Sequence, residues 1–105
     1  MTHKAVRQAA VKHYSRLIKG DYKGFVSGYA DAEALPDDYR SQLVDATAQF
    51  MAGDEMHRLT SVEALGDSIA PDSTAYVTLL LHFGDSTQEQ IQMPLILKEG
   101  RWKMK

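Results

Sequence analysis

The chain has no cysteine. That removes disulfides, thiolate metal sites and cysteine nucleophiles together, and it leaves the compartment open. No stretch approaches the ~20 apolar residues that span a bilayer. The opening Met1-Thr2-His3-Lys4 carries no apolar signal core. There is no repeat, no low-complexity tract and no linker. No one charge sign dominates: the formal net charge is −2, so no strong field recruits nucleic acid or an anionic membrane. Nucleophile elbows, phosphate loops and zinc signatures are missing. His3, His13, His57 and His82 form no i,i+4 pair, so no metal site is expected, and no cofactor.

What is present is ordinary globular composition. The 105 residues are 44% apolar and 25% charged, one domain's worth spanning 1–105. The period of the apolar residues changes once along the chain, which predicts an α+β fold.

The first half is helical. Val6, Ala9, Ala10, His13, Tyr14, Leu17 and Ile18 share one face of a helix from a Thr2 cap to Lys19, stopped by Gly20. Asp21 caps a short helix over Tyr22–Tyr29, with Phe25, Val26 and Tyr29 apolar. Ala30–Leu35 reads as a loop. Pro36 suits the first turn of a third helix, with Asp37 and Asp38 at its positive end. Tyr39, Leu43, Ala46 and Phe50 form that helix's stripe, and Gly53-Asp54 ends it.

From about Met56 the period is two. Leu59–Leu65 is a modest strand, and the turn Ala70-Pro71-Asp72-Ser73 follows. Thr74–Phe83 is a strong strand with Ala75, Val77, Leu79, Leu81 and Phe83 on one face. Ile91, Met93, Leu95 and Leu97 alternate in a third, and Trp102 and Met104 in a short fourth. A two-residue turn at Glu99-Gly100 sets Leu97 against Trp102 and Leu95 against Met104. The same turn at Gly84-Asp85 would swap faces, so that hairpin needs an odd loop or a bulge. Pro94 predicts a bulge or pairing gap nearby. Trp102, Leu97, Leu79, Leu17 and Phe50 are expected in one core.

Gly20-Asp21-Tyr22, Ala30-Asp31, Ala75-Tyr76-Val77 and Lys98-Glu99-Gly100-Arg101-Trp102-Lys103, in this order, give the chain its family resemblance. It resembles the nuclear-transport-factor-like (cystatin-like) superfamily over nearly its whole length. Within it, the chain looks most like small bacterial domains of unknown function often found as secreted lipoproteins. The resemblance implies three helices on a curved antiparallel meander of about four strands, enclosing a cone-shaped pocket; His13, Tyr14, Tyr29 and Tyr39 are the candidates to line it, the tyrosines reading equally as core residues whose hydroxyls reach the surface. It implies dimerisation through the opposite sheet face, around Tyr76, Leu80 and Ile96. It also implies the cell envelope, whereas a native Met1 argues for the cytosol; a lipobox cysteine just before Thr2 would decide for export.

Three functions are open. The favoured one is a non-catalytic binding or interaction module, whose partner is a small hydrophobic ligand or an envelope protein. The second is a ketosteroid isomerase- or dehydratase-like enzyme. In that branch a pocket carboxylate moves a proton while a helix-one tyrosine and a protonated sheet acid hold the oxyanion. Carried over, His13 takes the tyrosine's place, Asp37 falls near the base, and the aliphatic Ile96 falls near the acid. The inward strand faces supply no replacement acid. The third is a structural dimerisation domain. A basic cluster, Lys98, Arg101, Lys103 and Lys105, reads as solvent-facing charge that discourages edge pairing.

Overall fold

A computed structural model describes residues 3–53, 56 and 58–105. The Thr2 cap, Asp54 and His57 lie outside the described residues. Helices α1 (His3–Lys19), α2 (Tyr22–Ser27) and α3 (Asp37–Ala52) precede strands β1 (Leu59–Ile69), β2 (Thr74–Phe83), β3 (Gln88–Lys98) and β4 (Arg101–Met104). The strands form one antiparallel meander in the order β1-β2-β3-β4. This is the expected α+β architecture.

Helix ends follow local chemistry. Gly20 adopts φ +80°, its N–H reaches the Leu17 carbonyl at 3.2 Å, and Asp21 N–H reaches Arg16 at 2.8 Å. These two bonds satisfy carbonyls that would otherwise be orphaned at the end of α1. Asp21 then caps α2 by accepting from Gly24 N–H at 3.0 Å. Pro36 stands one residue before α3 as its cap rather than inside the first turn. The segment read as a loop contains a 3-10 turn, Ala32–Ala34.

The hairpins obey the register argument. Glu99 and Gly100 both take positive φ, the two-residue turn that matches strand twist, so Leu97 faces Trp102 and Leu95 faces Met104. The β2–β3 connection is odd: Phe83 N–H bonds the Thr87 carbonyl across Gly84, Asp85 and Ser86, placing Leu79 opposite Ile91. Pro94 sits in unbroken register with Tyr76 and needs no bulge, while the β3–β4 ladder ends beside it at Leu95 and Met104. The Pro94 carbonyl accepts from Lys105 N–H at 3.1 Å, so its missing donor points to where β4 runs out. The irregularities sit in β1 instead, at Leu59/Ser61 and Ala64/Gly66. The second slip turns Asp67 inward, where its nearly buried carboxylate pairs with His3 and with Arg7 at 3.4 Å on α1. It also breaks the alternation, so a period of two stops near Leu65 although the strand continues to Ile69.

The core lies between α1 and the sheet. Val6, Ala10 and Leu17 pack against Val77, Leu79, Leu95 and Met104, with Trp102 partly buried beside them. Two expected members are absent: Leu97 is half-exposed at the sheet's margin and Phe50 is 85% exposed. The outer edge of β4 is not bare. Met104 N–H bonds the Gly28 carbonyl and Ala30 N–H bonds the Met104 carbonyl, at 2.8 and 2.7 Å. Lys98 donates to Ala30 O, Lys105 to Thr74 Oγ1, and Lys103 lies 3.9 Å from Glu33. Internal partners therefore take up three of the four C-terminal cations.

Candidate ligand cavity

His13 sits on the buried stripe of α1, beneath β4. Its Nε2 donates to the Trp102 carbonyl at 3.0 Å, which leaves Nδ1 as a buried acceptor without a described partner. Gly28 makes the room: a Cβ there would stand 2.6 Å from Nδ1. Burial holds the imidazole below its ordinary value. The bond to Trp102 opposes this, and the charges of Arg16, Lys12 and Lys103 reinforce it. His13 is thus a neutral strut between α1 and β4, bonded to the Trp102 backbone carbonyl.

Asp37 lies elsewhere. Its side chain is 88% exposed at the start of α3 and pairs with Arg40. It borders a cleft between α2 and α3 of about 420 Å³, shared with Lys23, Ser27, Val44 and Asp45. His13 lines neither this cleft nor the larger cavity described next. Ile96 faces away from the helices, paired with Thr74 and Lys103.

The larger cavity, about 660 Å³, opens where α3 stands off from the sheet. Leu17, Phe25, Leu43, Met51, Leu59 and Leu81 form its apolar wall, with Tyr14, Phe50 and Phe83 adding rings. Of the four residues expected to line a pocket, Tyr14 does so; His13 is the buried strut, and Tyr29 and Tyr39 are partly exposed outside it. Tyr14 meets Phe25 edge-on at 5.8 Å, and Phe25 meets Tyr29 at 5.7 Å. Burial raises the Tyr14 phenol above its ordinary value, aided by Tyr29 and the Glu89 charge. The hydroxyl therefore remains a neutral donor at physiological pH.

Glu89 was not anticipated. β3 begins at Gln88, so the inward alternation of Leu95, Met93 and Ile91 continues to Glu89, opposite Leu81. The inward face does carry an acid. The missed signal was simple: counting back two from Ile91 reaches Glu89 once the β2–β3 loop is known to have three residues. Among the described residues, no group of three or more His, Asp or Glu is placed to hold a metal ion. No helix among them is long and apolar enough to cross a membrane.

No protein-family model and no curated protein sequence matches the chain. A crystal structure from Campylobacter jejuni, carrying the provisional name NTF2-like transpeptidase, is similar at a TM-score of 0.64. The match covers 90% of this chain and 92% of that one, at 22% identity. The chain has the nuclear-transport-factor-like fold. In that fold the bent sheet and the helices make a cone, and the 660 Å³ cavity is the open part of the cone between α3 and the sheet.

Proposed function

We propose that the protein is a non-catalytic binding module that takes a small, mainly apolar ligand into the cavity between α3 and the sheet. The observation that carries this reading is the cavity itself: roomy, walled by aliphatic and aromatic side chains, with the part-buried Tyr14 and the exposed Glu89 among its few polar groups. The separation of His13 from Asp37 supports a binding role over the isomerase-like alternative, because proton transfer at carbon needs base and oxyanion donor around one substrate atom. The transpeptidase name of the similar structure finds no counterpart in the cavity. Thr47 donates its hydroxyl to the Leu43 carbonyl at 2.7 Å, and no described lining residue is a histidine or lysine able to activate it.

A neutral reporter dye such as phenylnaphthylamine tests the reading. Saturable fluorescence enhancement at one dye per chain is expected, and Ala46→Trp, which fills the cavity from α3, should abolish it. Absence of saturable binding by the wild-type protein would refute the cavity as a ligand site.

A second reading, compatible with the first, is a homodimer through the outer sheet face. It is favoured by the one-sided helix layer: the molecule is 16 Å across its thinnest axis. Tyr76, Leu80, Pro94 and Ile96 are partly buried on the side opposite α1, flanked by the His82–Glu63 contact of 3.1 Å. Sedimentation at tens of micromolar should give a dimer that Leu80→Lys dissociates; a wild-type monomer would refute it.

A further inference from the structure

Among the described residues that line the cavity one carries a formal charge, an exposed carboxylate, and its sign bears on what enters. Glu89 is the single charged residue among the described lining residues; none is a lysine, arginine or histidine. The Tyr14 phenol lines the same wall, and the Glu89 charge acts on it. The rest of the lining includes four rings, Tyr14, Phe25, Phe50 and Phe83. Ring faces are electronegative and attract cations, most effectively cations that give up their water easily. The basic groups of α1 do not line the cavity. Lys4, Arg7 and Lys12 border a separate shallow cleft beside Ala64, and Arg16 donates to the Gly24 carbonyl at 3.0 Å.

We propose that the cavity selects ligands with an apolar body and a cationic head, an alkyl- or arylammonium, with the head against the Glu89 carboxylate and the body among the rings and leucines. This rests on the reading of the cavity as a ligand site and sharpens it. An ammonium meets a carboxylate and ring faces as it leaves water. A neutral head forfeits the ion pair but keeps the apolar contacts. A carboxylate or sulfate head meets Glu89 as a like charge with no described cation on the wall to offset it, so fatty acids are the wrong class despite their apolar bodies.

The test uses three probes with one body: decyltrimethylammonium, decanol and decanoate, each below its micellar concentration at neutral pH. Their binding is measured by titration calorimetry to the wild type and to Glu89→Gln, with circular dichroism confirming the fold. The ammonium should bind about tenfold more tightly than the alcohol, and decanoate more weakly than the alcohol. Glu89→Gln should shrink the spread among the three probes, leaving the ammonium only the smaller preference that the rings give it, and keep decanol within about twofold of its wild-type value. Equal binding of the three probes by the wild type would overturn the charge inference while the cavity reading stands. So would an ammonium preference that survives undiminished in Glu89→Gln. Failure of every probe to bind either protein would overturn the cavity reading, and this inference with it.

Discussion

α1 and α3 are written in the same amphipathic code and end in opposite circumstances. α1 lies along the sheet and buries Val6, Ala10, His13 and Leu17. α3 repeats the pattern through Tyr39, Leu43, Ala46 and Phe50, yet buries no residue and leans chiefly on α2. Periodicity says which face of a helix is apolar; it does not say whether anything fills the space before that face. The α1–sheet half holds the packed core. The α3 half keeps apolar surface uncovered, which a bound molecule can bury.

The largest break in that comparison is Leu79→Ala. Leu79 is fully buried against α1, so its truncation should cost about 3–4 kcal/mol in denaturant unfolding. A loss under about 1 kcal/mol would mean that the core is as loose as the α3 side.

A gentler break adds an atom. Gly28 has an ordinary φ of −75°, so Ala would be acceptable to the backbone. Its Cβ, however, would stand 2.6 Å from His13 Nδ1 and 3.1 Å from Met104 Cε. Gly28→Ala should destabilise by about 1–3 kcal/mol through overpacking. A neutral outcome would show that the His13 strut can swing aside.

The same strut gives the packed half a pH dependence. His13 is held below its ordinary value of 6.5 when folded, so in acid the unfolded chain binds the proton more readily. Its contribution is intact above about pH 6.5 and is lost as pH falls from there toward the depressed folded value. Unfolding curves at several pH values should show the wild type losing more stability in acid than His13→Gln, whose amide nitrogen can still reach the Trp102 carbonyl. Parallel pH profiles for the two proteins would place the sensitivity elsewhere.

The sheet was legible where the period held. Ala75 through Leu81 and Ile91 through Leu95 turn inward as their alternation predicts, and the strand faces call for an odd β2–β3 loop or a bulge, of which the three-residue loop is the one present. What escaped had no side-chain signature. The β1 slips are backbone events, and one of them brings Asp67 to His3 and Arg7. The partner of His13 is a carbonyl, which every residue possesses. Of the expected pocket residues, Tyr14 was found at the cavity. Glu89 was hidden because the strand was started three residues late, so its place on the inward face could not be counted.

Phe50 offers the smallest expected change in stability and the most direct probe of the α3 half. A ring that is 85% exposed loses little water-excluded surface on truncation, so Phe50→Ala should shift unfolding by no more than about 0.5 kcal/mol. The same ring lines the cavity, so its removal should weaken phenylnaphthylamine binding. Amide exchange adds a second view: α3, with no buried residue, should exchange ahead of α1 in the unliganded protein and slow when the dye binds. A cost near that of Leu79→Ala would reveal a ring buried in solution, with α3 closed down on the sheet and the cavity filled by the protein's own side chains. The contrast between the two helices would then vanish, and the ligand site with it.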